Sequence, residues 1–389
     1  MGKDKEIRIF LTPSHICTVY LSMLARETKT EDQIDILFID ASRRKQGLIN
    51  VITETSKLHN WNLFHDFSIV ESEELDYTPS TRKSFTRKIK NWPIVKNIYN
   101  FLLQRHFKSV DQKYRTELQH LLADYSIADA KVSLFMLTQT YLNRPLQQLF
   151  PKASINYAEH GIGDYYHILD PNISKGNFYC VFSVAYKRYL EKTGHSTDWV
   201  KALPQIASFP TLAGELLVNY NKSIRLDQLI VPEKPCVFVL LEAVDMYQVN
   251  YSFWTEYLDQ IFSQLETPGK YHYLLKPHPM QSEASLIATK KHLEDLGYSY
   301  TLLNHPTLIN ASAEVIFSFW KDKTEHVFCL FSSGCFYLSK LYAGEKIKFW
   351  YSTAFMSKHL GNAPPQFYKS FTESRKMIEE VFAENCIPF

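Results

Sequence analysis

The sequence predicts an α/β protein of two doubly wound, parallel-sheet domains with a cleft between them. Three observations carry that prediction. Short apolar runs alternate with helical patterns along the chain, the signature of parallel α/β layers. At 389 residues the chain is too long for one ordinary domain and suits two of about 150–200 residues each. The pattern loosens around 203–235, where "LPQIASFPTLAG" and "IVPEKP" bring prolines and a polar stretch. A boundary is therefore expected near 215–232, with domains over 1–220 and 232–370.

Taken in order, "IRIFL" (7–11) reads as a first strand, followed by a helix from Ser14 to Arg26. "DILFID" (35–40) is a second strand and "FSIVE" (67–71) a third, before two or three helices over 80–123. "KVSLFML" (131–137), "SINYA" (154–158) and "FYCVFSVA" (178–185) read as buried strands, since parallel strands covered on both faces are nearly continuously apolar. Past the boundary come strands at 236–242, 271–277, 298–303, 326–333 and 346–350. Helices are expected near 252–266, 283–296, over "ASAEVIFSF" and at 335–343. A last amphipathic helix, about 372–384, closes the chain in a segment (371–389) that could pack back on the first domain.

Composition narrows the function classes. The chain is 45% hydrophobic and 22% charged, which is ordinary for a globular protein and argues against disorder. Aromatics reach 14%, with 24 Tyr and 26 Phe, mostly as expected for a large core. A net charge of +2 excludes a polycation overall, and no nucleic-acid partner is expected. Cys17, Cys180, Cys236, Cys329, Cys335 and Cys386 are scattered, most in apolar runs, as small buried hydrophobes in a reducing compartment. None has metal-ligand spacing, so no metal is expected. The N-terminus, "MGKDKEIRIFL", enters a strand at once, and no run of 18 apolar residues occurs. The expectation is a cytoplasmic protein, with peripheral association at the inner membrane left open.

Ligands of doubly wound sheets collect at the carboxyl ends of strands, so the loops there are where chemistry is expected. In "NYAEHGIGDYYH" (156–167), Glu159 follows a buried strand, where a carboxylate would face the cleft and could accept a proton from a hydroxyl. Gly161 and Gly163 permit a tight turn. His160 and Asp164 are further candidates, and a solvated strand-end turn is the plainer reading. In "LLKPHPM" (274–280), Pro277 and Pro279 restrict the backbone around His278, whose imidazole could hold or protonate a phosphate. Lys276 stands beside it.

In "LFSSGCFYLSKLYAG" (330–344), Ser332, Ser333 and Gly334 lie between a strand and a helix. Backbone amides and the helix end there would meet an anion, unless Ser is only a cap. Neither GxGxxG nor GxxxxGK[ST] is present, so the dinucleotide and P-loop fingerprints are unsupported. Segment 80–115 sets Arg82, Lys83, Arg87, Lys88 and six further basic residues against Asp111 alone, a local positive field suited to a polyanion or an anionic membrane surface. Ser14 and His15 open the helix after the first strand and face the same cleft, Ser14 most simply as its cap.

The ordered trio of Glu159-His160-Gly161, His278-Pro279 and Ser332-Ser333 resembles the bacterial sialyltransferases, and most of all the capsular polysialyltransferases. Those enzymes carry an acidic-x-Gly element, a His-Pro element and a Ser/Thr-rich element. The likeness covers most of the chain by order and spacing but rests on some seven residues. It implies a GT-B fold with two Rossmann-like domains, the acceptor on the first, CMP-sialic acid on the second, and no cofactor or metal. By the same resemblance Glu159 is the general base and His278 contacts and protonates the CMP phosphate. The donor would be held by Lys276, His278, Pro279, Ser332, Ser333 and Gly334. The acceptor, polysialic or oligosialic acid, would meet Ser14, His15, Gly161, Arg82, Lys83, Arg87 and Lys88. His160 departs from the second acid found in some relatives. The implied reaction inverts the anomeric centre and extends a capsule chain, with the capsule-export complex as a partner left open. Three alternatives stand beside it: transfer of single sialic acids to lipooligosaccharide, a sugar-nucleotide epimerase-like enzyme, and a non-catalytic capsule-assembly component.

Overall fold

Residues 6–40, 46–67, 93–125, 130–138, 140, 142–204, 206–224, 231–244, 249, 252–360 and 365–389 are described by a computed structural model. Their strands fall into two all-parallel sheets. The first has the order β3-β2-β1-β4-β5-β6-β7, with β1 Glu6–Thr12, β2 Gln33–Ile39, β3 Leu63–Asp66, β4 Lys131–Met136, β5 Ser154–Ala158, β6 Asn177–Cys180 and β7 Val200–Ala202. The second has the order β10-β9-β8-β11-β12-β13, with β8 Cys236–Leu240, β9 His272–Lys276, β10 Ser299–Leu302, β11 Thr324–Cys329, β12 Lys348–Tyr351 and β13 Ile387–Pro388. Central strands such as β1 and β8 are buried along almost every residue, because helices cover both faces of each sheet.

Strand order reverses between β1 and β4 in the first sheet and between β8 and β11 in the second. Crevices open at such switch points, outside the carboxyl ends of the strands. The loops leaving β1, β5, β8, β9 and β11 are therefore the ones the topology places at the interface.

Several elements differ from the expectation. The third strand lies at 63–66, before "FSIVE", of which residues 68–71 fall outside the described residues. The strand read over 178–185 ends at Cys180, and a helix, Ser183–Lys192, starts three residues later. Apolar residues serve both elements there, so hydrophobicity alone does not mark the break. Helix Gln46–Ser56 and the very short β7 and β13 went unread. A helix, Phe209–Ile224, occupies part of the stretch where the pattern loosened. The described part of 80–123 is one 30-residue helix, Pro93–Leu122, anchored by the i, i+4 stripe of Val110, Tyr114, Leu118 and Leu122, all buried.

Contacts across the interface set how the sheets face each other. A Cβ at Gly47 would stand 2.6 Å from the Pro306 carbonyl oxygen, so only glycine allows helix 46–56 to approach helix Pro306–Asn310 so closely. The chain's last helix, Pro365–Met377, runs into a π turn, Ile378–Phe382, which returns to the first domain. There Phe382 packs edge-on against Tyr165 at 4.8 Å and Phe182 at 4.9 Å, and Lys192 Nζ meets Glu380 Oε2 at 2.9 Å. Among the described residues, no helix is long and apolar enough to cross a membrane.

Candidate active site

A cleft of about 440 Å³ lies between the two switch points. Its first wall carries Ser14, His15 and His160 from the loops after β1 and β5. Its second wall carries Lys276, His278 and Pro279 after β9, Ser312 and Glu314 from a connecting turn, and Ser332, Ser333 and Gly334 after β11. Nine of the sequence-derived candidates thus share one cavity. A second hollow of about 500 Å³ lies near Lys131 and Ala153, where β4 and β5 begin. It is at the amino ends of the strands, away from the side where such sheets bind ligands.

The expectation that Glu159 faces the cleft is corrected. Glu159 is 0% exposed; it sits below the cavity wall and accepts three hydrogen bonds. These come from Tyr165 Oη to Oε2 (2.5 Å), the Val181 N–H to Oε1 (2.6 Å) and Tyr337 Oη to Oε2 (3.2 Å). Tyr337 belongs to helix Ser333–Leu341 of the second domain, so Glu159 ties the domains together. Burial pushes its carboxyl up to about 8, against the pull of these donors, which leaves it largely neutral at pH 7.

Its neighbour His160 reaches the cleft instead, with 37% of its side chain exposed. Its Nδ1 stands 2.7 Å from Asp164 Oδ2, and Asp164 also accepts the His160 N–H (2.7 Å) and the Thr138 hydroxyl (2.5 Å). Burial disfavours protonation of His160, but the fully buried Asp164 carboxylate outweighs it and raises the imidazole pKa. Burial would likewise raise Asp164, yet the His160 charge and the donated hydrogen bonds lower it. The Nδ1 approach to Asp164 is a charge contact rather than an aligned hydrogen bond; a proton held on Nδ1 by that carboxylate would leave the lone pair on Nε2.

His278 shows the opposite tautomer. Its Nδ1 accepts the Met280 N–H at 3.1 Å, so Nε2 carries the ring proton. The two prolines and this bond fix an imidazole that donates. Lys276 is 95% hidden beneath it and donates to the carbonyls of Ile309 (2.8 Å) and Pro277 (3.1 Å). Burial draws its ammonium down to about 7, and burial likewise lifts nearby Glu314 to about 7.

His15 lies at the cleft wall but is only 2% exposed. It is buried, its Nδ1 accepts the Ser312 N–H from the second domain at 2.8 Å, and its Nε2 meets Tyr220 Oη. Tyr220 Oη in turn lies 2.8 Å from Thr55 Oγ1, which donates to the Val51 carbonyl at 2.6 Å. Burial, reinforced by the Lys276 charge, pushes His15 down to about 3, so it is neutral throughout the physiological range. Ser14 caps helix His15–Glu27 through the Cys17 N–H at 3.4 Å.

Ser332 stands at the cap position of helix 333–341, but its side chain makes no capping bond. The preceding amides are used: Leu330, Phe331 and Ser332 N–H all donate to Glu242 Oε1 at 2.9, 2.8 and 2.8 Å. At Gly334 a Cβ would lie 3.4 Å from Ala313 Cβ, an ordinary packing contact. Gly161 is more open still, for its Cβ would meet nothing within 4 Å. Arg82, Lys83, Arg87 and Lys88 lie outside the described residues.

No family model matches the chain, and no curated protein does. Solved structures do. The chain is similar to UDP-GlcNAc 2-epimerase from Methanocaldococcus jannaschii at 12% identity, over 99% of this chain and 88% of that one, with a TM-score of 0.51. A putative UDP-N-acetylglucosamine 2-epimerase from Listeria monocytogenes follows at 11% identity, 99% and 92% coverage, and a TM-score of 0.49. At such identities the likeness is one of fold: α/β, GT-B, two Rossmann-like domains.

Sequence reasoning missed Glu242, Glu314 and Ser312, and placed His160 and Asp164 second to Glu159. A signal for Glu242 was present, because "CVFVLLE" ends an apolar strand in an acid as "SINYAE" does.

Proposed function

We propose that the protein is an inverting, metal-independent sialyltransferase. It moves sialic acid from CMP-sialic acid to the hydroxyl of a terminal sialic acid and so extends a polysialic acid chain. The observation that carries this reading is the pair of imidazoles that line one cleft from the two domains: His160, with Nδ1 2.7 Å from Asp164 Oδ2, and His278, with Nδ1 accepting the Met280 N–H.

Such a pair suits displacement of a phosphate by a hydroxyl. The acceptor oxygen attacks the anomeric carbon and His160 takes its proton, with Asp164 stabilising the imidazolium. The bond from that carbon to the phosphate oxygen breaks, and CMP leaves with the electron pair. His278, Ser332 and Ser333 donate to its developing charge. The resemblance of the Glu-His-Gly, His-Pro and Ser-Ser elements to those of polysialyltransferases supplies the choice of sugar and nucleotide. The basic segment supports an anionic acceptor, and Lys108 and Lys113 on its described part are exposed.

A donor panel tests the reading. CMP-sialic acid should be consumed only when a sialylated acceptor is present, and excess chelator should leave the rate unchanged. Acceptor-free turnover of a UDP-sugar would point to an epimerase-like enzyme instead.

A further inference from the structure

An internal carboxylate occupies the anion seat of the second domain. Strands β8 and β11 flank the switch point, and their loops meet there. The chain after β11 turns three successive amides, those of Leu330, Phe331 and Ser332, onto one point. Converging amides next to a helix N-terminus form an anion-binding nest. The acid in this nest is Glu242, two residues past β8 and only 6% exposed; burial lifts its carboxyl to about 7 against the pull of the three amides, so the nest holds a carboxylate above that pH.

The donors left to a ligand lie one step further along. Cys335 N–H closes onto the Ser332 carbonyl at 3.2 Å. The first amides of an α-helix have no intrahelical acceptor, which leaves those of Ser333 and Gly334, and both residues line the cleft. Ser332 contributes a hydroxyl not spent on capping. Two amides and two hydroxyls suffice for one phosphate. Glu242 lies behind the cleft wall, its Oε1 2.8 Å from the Ser332 amide, so a second phosphate beside Ser332 would be brought close to the carboxylate, and like charges brought together in a partly desolvated site are strongly disfavoured.

We propose that Glu242 is a specificity residue: by filling the amide nest it makes the cleft accept nucleotides with one phosphate and turn away nucleoside diphosphates. The inference rests on the sugar-nucleotide reading of the cleft. It deepens that reading by naming the group that selects a CMP-linked donor over a UDP- or CDP-linked one.

Calorimetric titration of CMP and CDP into wild type and Glu242→Gln at about pH 8.5, where the Glu242 carboxyl is ionised, tests it. The amide oxygen of glutamine can still accept the three N–H groups, while the charge is gone. Wild type should bind CMP about 10-fold or more tighter than CDP, and Glu242→Gln should bring the two within roughly threefold, chiefly by tighter CDP binding. If wild type binds CDP as well as CMP, the inference is overturned without recourse to the variant. The same holds if a folded Glu242→Gln, checked by its melting transition, keeps the wild-type ratio. Binding of neither nucleotide to wild type would instead sink the sugar-nucleotide reading, and the inference with it.

Discussion

Glu159 and His160 are adjacent, yet one is sealed between two domains and the other lines the cleft. At the end of a strand, one residue of register decides which face a side chain takes, and that is what composition around "AEHG" could not reveal. The chemistry of the pair follows. Glu159 is held near neutrality, so Glu159→Gln exchanges one uncharged group for another and should change kcat at pH 7 by about threefold or less. His160→Asn should lower kcat about 10²- to 10⁴-fold with little change in donor KM. The opposite ranking, measured as CMP release, would return the base to Glu159. Asp164 supplies a second check. The kcat–pH profile of wild type should rise through a midpoint above the ordinary histidine value, because Asp164 raises His160. Asp164→Asn should move that midpoint down; an unmoved midpoint would remove Asp164 from the account. The motif residues themselves were legible in the sequence, since strand-end position and backbone restriction pointed to His278, Ser332 and Ser333. The partners that tune them were not, because Asp164, Glu242 and Tyr337 act through contacts the linear order does not display.

Between residue and fold, loops and helix ends hold the walls of the cleft together. His15, at the start of its helix, receives an amide from the second domain and joins Tyr220 and Thr55 of the first. Its place in a loop after a strand points to an acceptor contact, whereas its burial emerges only when helix 209–224 packs beside it. The folded state keeps this imidazole neutral down to about 3, while the unfolded chain protonates it near the ordinary histidine value of 6.5. The unfolded state therefore binds the extra proton between those values, and stability is lost as pH falls from 6.5 towards 3, by up to about 1.4 kcal/mol per pH unit from this group. In denaturant melts His15→Asn should be less stable than wild type at pH 7, and the gap should narrow on acidification. A constant gap would mean that His15 titrates normally. Elements of ordinary length were mostly legible to within a few residues. The misses include β7 and β13, of three and two residues, and helices 46–56, 183–192 and 209–224; the strands are too short to show a period.

At the scale of the molecule, the alternation of apolar runs with helical patterns was enough for two parallel sheets, because parallel strands need helical crossovers. How closely the sheets approach was not legible, since it depends on single contacts such as Gly47 against the Pro306 carbonyl. Gly47→Ala places a methyl against backbone that cannot rotate away. The substitution should cost about 1–3 kcal/mol in denaturant unfolding and raise the donor KM by parting the cleft walls. Wild-type stability and KM in that variant would show that the domains are not held at this point.

The central claim is that this cleft transfers sialic acid from CMP-sialic acid to an anionic sialylated chain. It is tested most directly by incubating the protein with CMP-sialic acid and a labelled oligosialic acid in the presence of chelator, and resolving product lengths. The account predicts a ladder of longer labelled products that grows with time and is absent for His160→Asn. No lengthening, lengthening that chelator abolishes, or equal use of lactose in place of oligosialic acid would contradict it.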